Sequence, residues 1–337
     1  MSILKPLCLA AALSAAAVCA ARADAVEDFY KGKTMYALVG VSPGGEYDFQ
    51  LRLVARHLSA HIPGHPNIVA QNMTGATGMV MANYLYKVAP KDGTYIGLIQ
   101  NGLPTSQAVG MEGVQFDASK YNWIGSIAPT VETMAVWKTT GVTSIEQAKQ
   151  TEIIAGCVGS SGITLTFPVM LNDLLGTKFK MVMGYTGSGP LNLAMERGEV
   201  SARNNSWSSW NASKPEWVTN KDIHVLVYSG PKPADLNGVP SLEELIKDPE
   251  DRQVVDIVTA GNALGHPFAM PPGVPADRLA AIRKAFVEMM KDPAFRKEAE
   301  AAKIEIEPVS AETLEKAALG AINASDKAKA RARKYFQ

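Results

Sequence analysis

The chain has 337 residues, of which 47% are hydrophobic, and its 33 lysines and arginines balance its 33 aspartates and glutamates. A nucleic-acid-binding protein is expected to carry a basic patch, so this balance argues against that class. The length and the hydrophobic content allow two domains of ordinary size, each with its own core.

The first residues have the layout of a secretory signal peptide. Lys5 precedes an apolar run from Leu7 to Ala21, and Ala21-Arg22-Ala23 offers small residues at both positions that determine cleavage. We therefore predict a signal peptide over residues 1–23, a mature chain starting near Asp24, and a periplasmic location. A membrane anchor is the alternative, but the run is shorter than the roughly 20 apolar residues of a spanning helix.

Cysteine usage agrees with export into a bacterial periplasm. Cys8 and Cys19 lie in the predicted signal peptide, so only Cys157 stays in the mature chain and no intramolecular disulfide is expected. A start at Val26 and a lipoprotein attached through Cys19 stay open as alternatives. Val18 argues against the lipoprotein, because it is bulkier than the residue that usually precedes such a cysteine.

Strand-like and helix-like runs alternate along the first part of the chain. Asp48 is predicted to be the N-cap of the first helix. The rhythm is typical of βαβ units and predicts a largely parallel sheet. The predicted elements are a strand Tyr36–Val41, a helix ending at His61, a strand Asn67–Asn72, a helix Gly78–Val88 and a strand Tyr95–Gln100.

A second set of alternating elements predicts a second α/β domain. Tyr121–Ile127 and Val254–Leu264 are predicted to cross between the domains, so that domain 1 comprises residues 24–127 plus 258–337 and domain 2 comprises 128–257. The predicted elements of the second set are strands Met134–Trp137, Glu152–Cys157, Lys180–Gly184 and His224–Ser229, and helices Ser144–Lys149, one ending near Gly176, and Leu191–Arg197.

The predicted strands are followed by turns rich in glycine and hydroxyl side chains. Ligands of open α/β sheets bind outside the carboxyl ends of the strands, so these turns are predicted to line a ligand site. They are Ser42–Asp48, Gln71–Gly78 and Ile99–Ser106 in the first domain and Gly156–Thr166 and Gly184–Pro190 in the second.

Gly44 and Gly45 stand between the first strand and the first helix. The N-terminus of a helix presents backbone N–H groups at the positive end of its dipole, and glycine allows a ligand to approach them, so an anion is the favoured ligand. The alternative is a tight turn that requires positive φ and binds nothing.

Five motifs in the right order resemble those of the periplasmic solute-binding proteins of tripartite tricarboxylate transporters, the Bug-type receptors. The likeness runs from about Met35 to Ser325. The motifs are Pro43–Asp48, Asn67–Gly78, Ala89–Leu98, Gly159–Gly162 and Gly184–Val200.

The resemblance implies an α/β fold of the two-lobed periplasmic-binding-protein type (Venus flytrap, type II), with a ligand cleft between two doubly wound domains. It implies capture of a small organic carboxylate and delivery to the membrane permease subunits of such a transporter. A monomer without enzymatic activity, cofactor, metal or nucleic-acid partner is expected.

The candidate ligand-binding residues come from the turns and from the resemblance. In the family, a turn matching Pro43-Gly44-Gly45 receives a ligand carboxylate through backbone N–H groups. The candidates are Ser42, Gly44, Gly45, Tyr47, Asp48, Asn72 and Asn101 in the first domain and Ser160, Ser161, Gly162, Ile163, Tyr185, Gly187 and Asn205 in the second.

Several residues depart from the family pattern. Val41 and Ser42 replace a Phe and an Ala, and Glu46-Tyr47 replaces a pair of small residues. Glu46 is predicted to face solvent, with contact to a cationic or hydroxyl part of the ligand as the alternative. The ligand of a known relative therefore cannot be assigned to this chain.

The stretch Ala202–Trp210 adds an arginine and two tryptophans. Arg203 is predicted to be a surface residue at a strand edge, and a bidentate pair with a ligand carboxylate is the alternative. Trp207 and Trp210 are predicted to pack in the core or a hinge, and an aromatic wall for a ring-bearing ligand is the alternative.

Other chemistries have little support. His57, His61 and His65 are four residues apart, but Pro63-Gly64 interrupts the helix, so a solvated helix end is favoured over a metal site. Gly159-Ser160-Ser161-Gly162 does not have the G-x-S-x-G spacing of a nucleophile elbow, and an H-E-x-x-H motif and a complete dinucleotide fingerprint are absent from the sequence. A sensory receptor and, less favoured, a periplasmic enzyme on the same scaffold are the alternatives to transport.

Overall fold

The computed structural model describes residues 25–44, 46–158, 162–302 and 304–336. The predicted signal peptide lies outside the described residues. By their contacts these residues divide into two compact units. Unit 1 contains the described residues up to Gln100, Lys120–Gly125 and Pro267–Ala311, and unit 2 contains Asn101–Ser119, Ser126–His266 and the described residues from Glu312 onward.

Strands and helices alternate, as the sequence pattern predicts. The strands are β1 (Thr34–Val39), β2 (Asn67–Asn72), β3 (Tyr95–Leu98), β4 (Asn122–Ser126), β5 (Glu132–Trp137), β6 (Ile153–Val158), β7 (Phe179–Tyr185), β8 (Ala202–Ser206), β9 (Ile223–Ser229), β10 (Pro267–Met270) and β11 (Val309–Ser310). The α-helices are α1 (residues 25–30), α2 (Glu46–Leu58), α3 (Met79–Lys87), α4 (Leu103–Ala108), α5 (Ile145–Ala148), α6 (Ile163–Leu175), α7 (Ser188–Glu196), α8 (Trp207–Ser213), α9 (Pro215–Thr219), α10 (Leu242–Leu245), α11 (Pro249–Leu264), α12 (Ala276–Met289), α13 (Pro293–Ala301), α14 (Ala311–Ile322) and α15 (Asp326–Arg333). Short 3₁₀ turns are Ser59–His61, Ala76–Gly78, Ala118–Lys120, Lys138–Thr140 and Lys334–Phe336.

Each unit contains one mixed sheet, and the parallel pairing predicted for the first βαβ strands is confirmed, because β1 is parallel to both β2 and β3. In unit 1 the strand order is β11-β4-β10-β3-β1-β2, and β1 is parallel to β2 and β3 while β10 is antiparallel to β3. In unit 2 the order is β7-β6-β8-β5-β9, and β6 is parallel to β7 and β8 while β5 is antiparallel to β8 and β9. The chain reaches β5 and β10 directly from the other unit. Neither strand is therefore preceded by a crossover helix within its own sheet, which is the connection that makes successive strands parallel.

The division into units differs from the predicted domain boundaries at four segments. The segments expected in domain 1 that belong to unit 2 are Asn101–Ser119, residues 126–127, residues 258–266 and the described residues from Glu312 onward. The reason is α11, against which α4 and α15 pack. Thr105 Oγ1 donates to Ile257 O at 2.7 Å, and Arg331 Nη1 donates to Asp251 Oδ1 at 2.5 Å.

The core of unit 2 covers both faces of its sheet. One hydrophobic cluster includes Met134 and Ala202, and a second on the same strands includes Ala135, Trp207 and Trp210. Trp210 is fully buried and Trp207 nearly so, which confirms the predicted core packing of both rings.

No helix among the described residues is both long enough and apolar enough to cross a membrane.

Candidate functional site

The turn between β1 and α2 is held by Asp48. Gly44 has φ 90°, and its backbone N–H donates to Asp48 Oδ2 at 2.9 Å. α2 begins at Glu46, so Asp48 lies in its first turn and is not its N-cap, contrary to the prediction. The Gly44 N–H that was predicted to bind a ligand is therefore occupied. Gly45 lies outside the described residues.

Asp48 belongs to a network with Arg52 and Asn72. Arg52 Nε lies 3.0 and 3.1 Å from the two Asp48 carboxylate oxygens, and Asn72 Nδ2 donates to Asp48 Oδ1 at 2.8 Å. Asn72 also accepts from Arg52 Nη2 at 2.8 Å and donates to Val41 O at 2.9 Å. The hydrogen bond from Arg52 lowers the pKa of Asp48 to about 2, so the carboxylate is charged and compensated at neutral pH.

This network gives Asp48 and Asn72 a positioning role in the turn. Both side chains are hydrogen-bonded to other groups of this chain, and Asp48 is buried. Ser42 and Gly44 are exposed, Tyr47 is half-buried, and Glu46 is exposed with Oε1 3.3 Å from Gln50 Nε2. The exposure of Glu46 agrees with the prediction that it faces solvent.

We expect Gly44→Ala to lower the free energy of unfolding by about 1 kcal/mol, because a non-glycine residue is strained at this φ. No atom lies within 4 Å of an added Cβ, so no steric cost is added. Urea denaturation measures the change. Gly102→Ala is the control, since Gly102 has φ −77° and also has nothing near an added Cβ. Equal stability of the two variants would contradict the expectation.

The histidines at the end of α2 bind carboxylates of unit 1. His57 Nε2 lies 2.7 Å from Glu298 Oε2, and His61 Nε2 lies 3.0 Å from Asp292 Oδ2. Both histidine side chains are largely buried, so the predicted solvated helix end is wrong for these two residues. In the part of the chain that the structure describes, no group of three metal-ligating side chains comes together.

A second set of predicted residues meets at the carboxyl ends of β6, β7 and β8 in unit 2. Val158 at the end of β6 pairs with Tyr185 at the end of β7. Gly187 follows in extended conformation and is the N-cap of α7. Ser188 and Gly189 open this helix and are exposed. Their backbone N–H groups belong to the first turn, which has no intrahelical acceptors.

Arg203 of β8 lies behind the start of α7. It is 1% exposed, so the predicted surface position is wrong; β8 is a central strand of a sheet that is covered on both faces. Its guanidinium carbon lies 5.4 Å from the centroid of the Trp210 ring. The side chain therefore belongs to the packed interior, directly beneath Ser188.

The guanidinium of Arg203 donates only to neutral acceptors. Nε donates to Asn204 O at 3.1 Å. Nη1 donates to Asn192 Oδ1 at 2.7 Å and to Ser188 O at 3.3 Å. Nη2 donates to Ser188 Oγ at 3.1 Å and to Asn205 Oδ1 at 3.2 Å. These contacts use all five N–H groups of the side chain.

The charge of Arg203 faces one buried carboxyl group, that of Glu132. Glu132 Oε2 accepts from Asn204 Nδ2 at 2.9 Å. Burial raises the pKa of Glu132 to about 7, in spite of this hydrogen bond and the charge of Arg203. Burial also lowers the pKa of Arg203 to about 10, so the guanidinium stays charged at neutral pH. A positive charge thus lies under α7 with at most partial compensation.

Asn205 completes the group that we call the α7 site, defined as Ser188, Gly189, Arg203 and Asn205. Asn205 is 7% exposed, and its Nδ2 is buried without a hydrogen-bond partner among the described residues. Burial raises the pKa of the hydroxyl of Tyr185 at the end of β7, so it stays protonated at neutral pH. The α7 site offers N–H and O–H donors and positive potential, a combination that binds anions.

The other predicted residues lie apart from these contacts. Gly162 has φ 91° and is the N-cap of α6, which begins at Ile163. Ser160 and Ser161 lie outside the described residues. Asn101, expected in the first domain, belongs to unit 2, where its Nδ2 donates to Gly261 O at 3.2 Å.

Sequence reasoning missed Arg52, Ser188, Asn192 and Glu132 as parts of these two groups. The sequence spacing could have indicated three of them. Arg52 is four residues from Asp48, and Ser188 is four residues from Asn192, so each pair shares a face of its helix. Glu132 carries no such signal, because its neighbours come from distant strands.

Comparisons with protein-family models and with curated proteins gave no match. Among solved structures, a TctC solute-binding protein from Polaromonas has a TM-score of 0.70 and 18% identity, covering 91% of this chain and 98% of that one. A protein of R. palustris with adipate has a TM-score of 0.59 and 20% identity, covering 89% of this chain and 97% of that one. MatC from Rhodopseudomonas palustris with bound malate has a TM-score of 0.58 and 16% identity, covering 90% of this chain and 99% of that one. At these identities the likeness establishes the fold, and it confirms the α/β fold class predicted from the sequence.

Proposed function

We propose that this chain is a periplasmic solute-binding protein that captures a small organic carboxylate and delivers it to the permease subunits of a tripartite tricarboxylate-type transporter. The motif order supports the proposal, as does the fold that the chain has in common with the Polaromonas TctC protein. Adipate and malate are bound by two other proteins of this fold.

The observation that carries the proposal is the α7 site. A carboxylate placed against the exposed first turn of α7 would accept from the Ser188 and Gly189 N–H groups, at the positive end of the helix dipole. The buried charge of Arg203 lies on the same side. Capture without chemical change is the proposed activity, because the known proteins of this fold named above are binding proteins.

In this proposal the side chains of the Gly44 turn have a structural role. Asp48 and Asn72 fix the path of the turn, and the Asp48 charge is balanced by Arg52, so it does not repel an anion.

A thermal-shift screen of the chain without its first 23 residues tests the function. The panel contains acetate, malate, succinate, adipate, citrate and benzoate, with glucose and lysine as non-anionic controls. A ligand at 100 times its dissociation constant adds about 2.7 kcal/mol of stability, so a true ligand raises the midpoint clearly. We expect at least one di- or tricarboxylate to do so. A response to glucose or lysine alone would contradict the proposal.

A further inference from the structure

We infer that Arg203 makes the α7 site selective for a carboxylate without touching the ligand, by fixing Ser188 and Asn205 as donors and by supplying the positive charge behind them. This inference rests on the proposed function and adds a selectivity residue to it. Three observations support it in turn: the hydroxyl of Ser188, the amide of Asn205 and the neutral hydrogen-bond acceptors of the guanidinium.

Arg203 sets the direction of the Ser188 hydroxyl. Ser188 Oγ accepts from Arg203 Nη2 at 3.1 Å. A hydroxyl that accepts from a cation must direct its own hydrogen away from that cation. Because Ser188 is exposed, this hydrogen is available to an acceptor outside the protein. The serine is thereby a donor toward the first turn of α7.

Arg203 sets the orientation of the Asn205 amide in the same way. Asn205 Oδ1 accepts from Nη2 at 3.2 Å, and rotating the amide by half a turn would bring its NH₂ group against the guanidinium. Nδ2 is therefore directed away from Arg203, and it is buried without a partner among the described residues. Leaving such a donor unpaired is costly, and a ligand oxygen that reaches it removes this cost.

No carboxylate among the described residues accepts a hydrogen bond from Arg203, so an anion at the α7 site can add to the compensation that Glu132 provides. The five N–H groups of Arg203 donate to neutral oxygens, and Glu132, which faces it, is bonded to Asn204. A carboxylate carries a negative charge and only hydrogen-bond acceptors, so it complements both the donors of the α7 site and the charge of Arg203. A primary amide of the same shape presents NH₂ donors to the donors of the site and brings no charge, so the site rejects it.

Calorimetry tests the inference with malate, succinate, adipate and citrate, and with adipamide as the uncharged analogue of adipate. The variants are Arg203→Gln, Arg203→Lys, Asn205→Asp and Glu132→Gln, measured at pH 8. Arg197→Gln is the matched control: it removes the same charge from the exposed far end of α7. The wild type should bind at least one of the carboxylates and reject adipamide.

Each variant has its own expected effect on that carboxylate. Arg203→Gln should weaken binding at least about 10-fold, and Arg203→Lys should weaken it less because the charge is kept. Asn205→Asp should weaken it at least about 100-fold while the protein stays folded, because the new carboxylate pairs with Arg203 and takes the place of the ligand anion. Glu132→Gln should tighten it, since a competing negative charge is removed. Arg197→Gln should change it less than 2-fold.

Two results would overturn the inference while leaving the proposed function intact. One is unchanged carboxylate binding in Arg203→Gln; the other is unchanged binding in Asn205→Asp, which decides the matter if Arg203→Gln fails to fold. An unchanged or weakened affinity in Glu132→Gln would reduce Arg203 to a structural role and also contradict the inference. If no carboxylate binds the wild type, both the proposed function and this inference fail.

Discussion

Replacing Glu132 with glutamine is expected to stabilise the folded protein by about 3 kcal/mol at pH 8. Burial raises the pKa of this carboxyl group to about 7 from an ordinary value of 4.5. Each pKa unit corresponds to about 1.4 kcal/mol, and ionising the group inside the fold carries this cost. Glutamine keeps an oxygen that can accept from Asn204 Nδ2 and has no charge to bury.

The gain should depend on pH in a defined direction. Because the pKa is raised in the folded state, the folded protein holds the Glu132 proton more tightly than the unfolded chain does. The wild type therefore loses stability as pH rises from about 4.5 to about 7, and the loss is complete above that. The gain from Glu132→Gln should be full at pH 8 and close to zero at pH 4.5.

Urea unfolding of both proteins at pH 4.5, 6 and 8 measures this dependence. Glu152→Gln is the control, because Glu152 is an exposed carboxylate of the same unit. A destabilised Glu132→Gln protein at pH 8 would show that the charge of Glu132 stabilises the fold, and a gain that does not shrink at low pH would show that the gain does not come from removing a buried charge.

Gly40→Ala is expected to destabilise the protein by about 3 kcal/mol or more. Gly40 follows β1 and is buried, and a Cβ added there would lie 2.4 Å from the Cα of Gly78. The clash is with backbone, which cannot rotate away as a side chain can. Gly78 cannot move freely either, because the Gln100 side chain occupies the space where a Cβ of Gly78 would lie.

Gly44→Ala is the matched control for Gly40→Ala, since it adds the same methyl group four residues later in open space. Urea denaturation should rank Gly40→Ala as the less stable variant by about 2 kcal/mol or more. A loss below about 1 kcal/mol for Gly40→Ala would mean that β1 and the start of α3 can separate without cost.

The sequence predicted those features that depend on neighbouring residues. Strand β2 has the predicted bounds, Asn67–Asn72, because a proline precedes it and a glycine-containing turn follows it. The core position of Trp207 and Trp210 followed from their helical spacing in the same way. The site prediction included Tyr185, Gly187 and Asn205, and the fold brings these residues to one end of its second sheet.

Features that depend on distant pairing could not be predicted. The burial of Arg203 follows from the central place of β8, and that place is set by β5 and β6, which lie far away in the sequence. Alternation of residues along one strand indicates two faces but does not tell whether both are covered. The occupied N–H of Gly44 is a further example, because it depends on where α2 begins.

The interleaved path of the chain through the two units has a consequence for its synthesis. Strand β3 of unit 1 pairs with β10, and Asp251 of unit 2 binds Arg331, so each unit needs a segment that is made late. A nascent chain that stops before Pro267 has completed neither unit. Contacts over such long sequence separations form slowly, because a large loop must close before they contribute. Neither unit can therefore complete its fold until translation is almost finished, and a chain whose fold is incomplete is one that can still be threaded through a narrow channel.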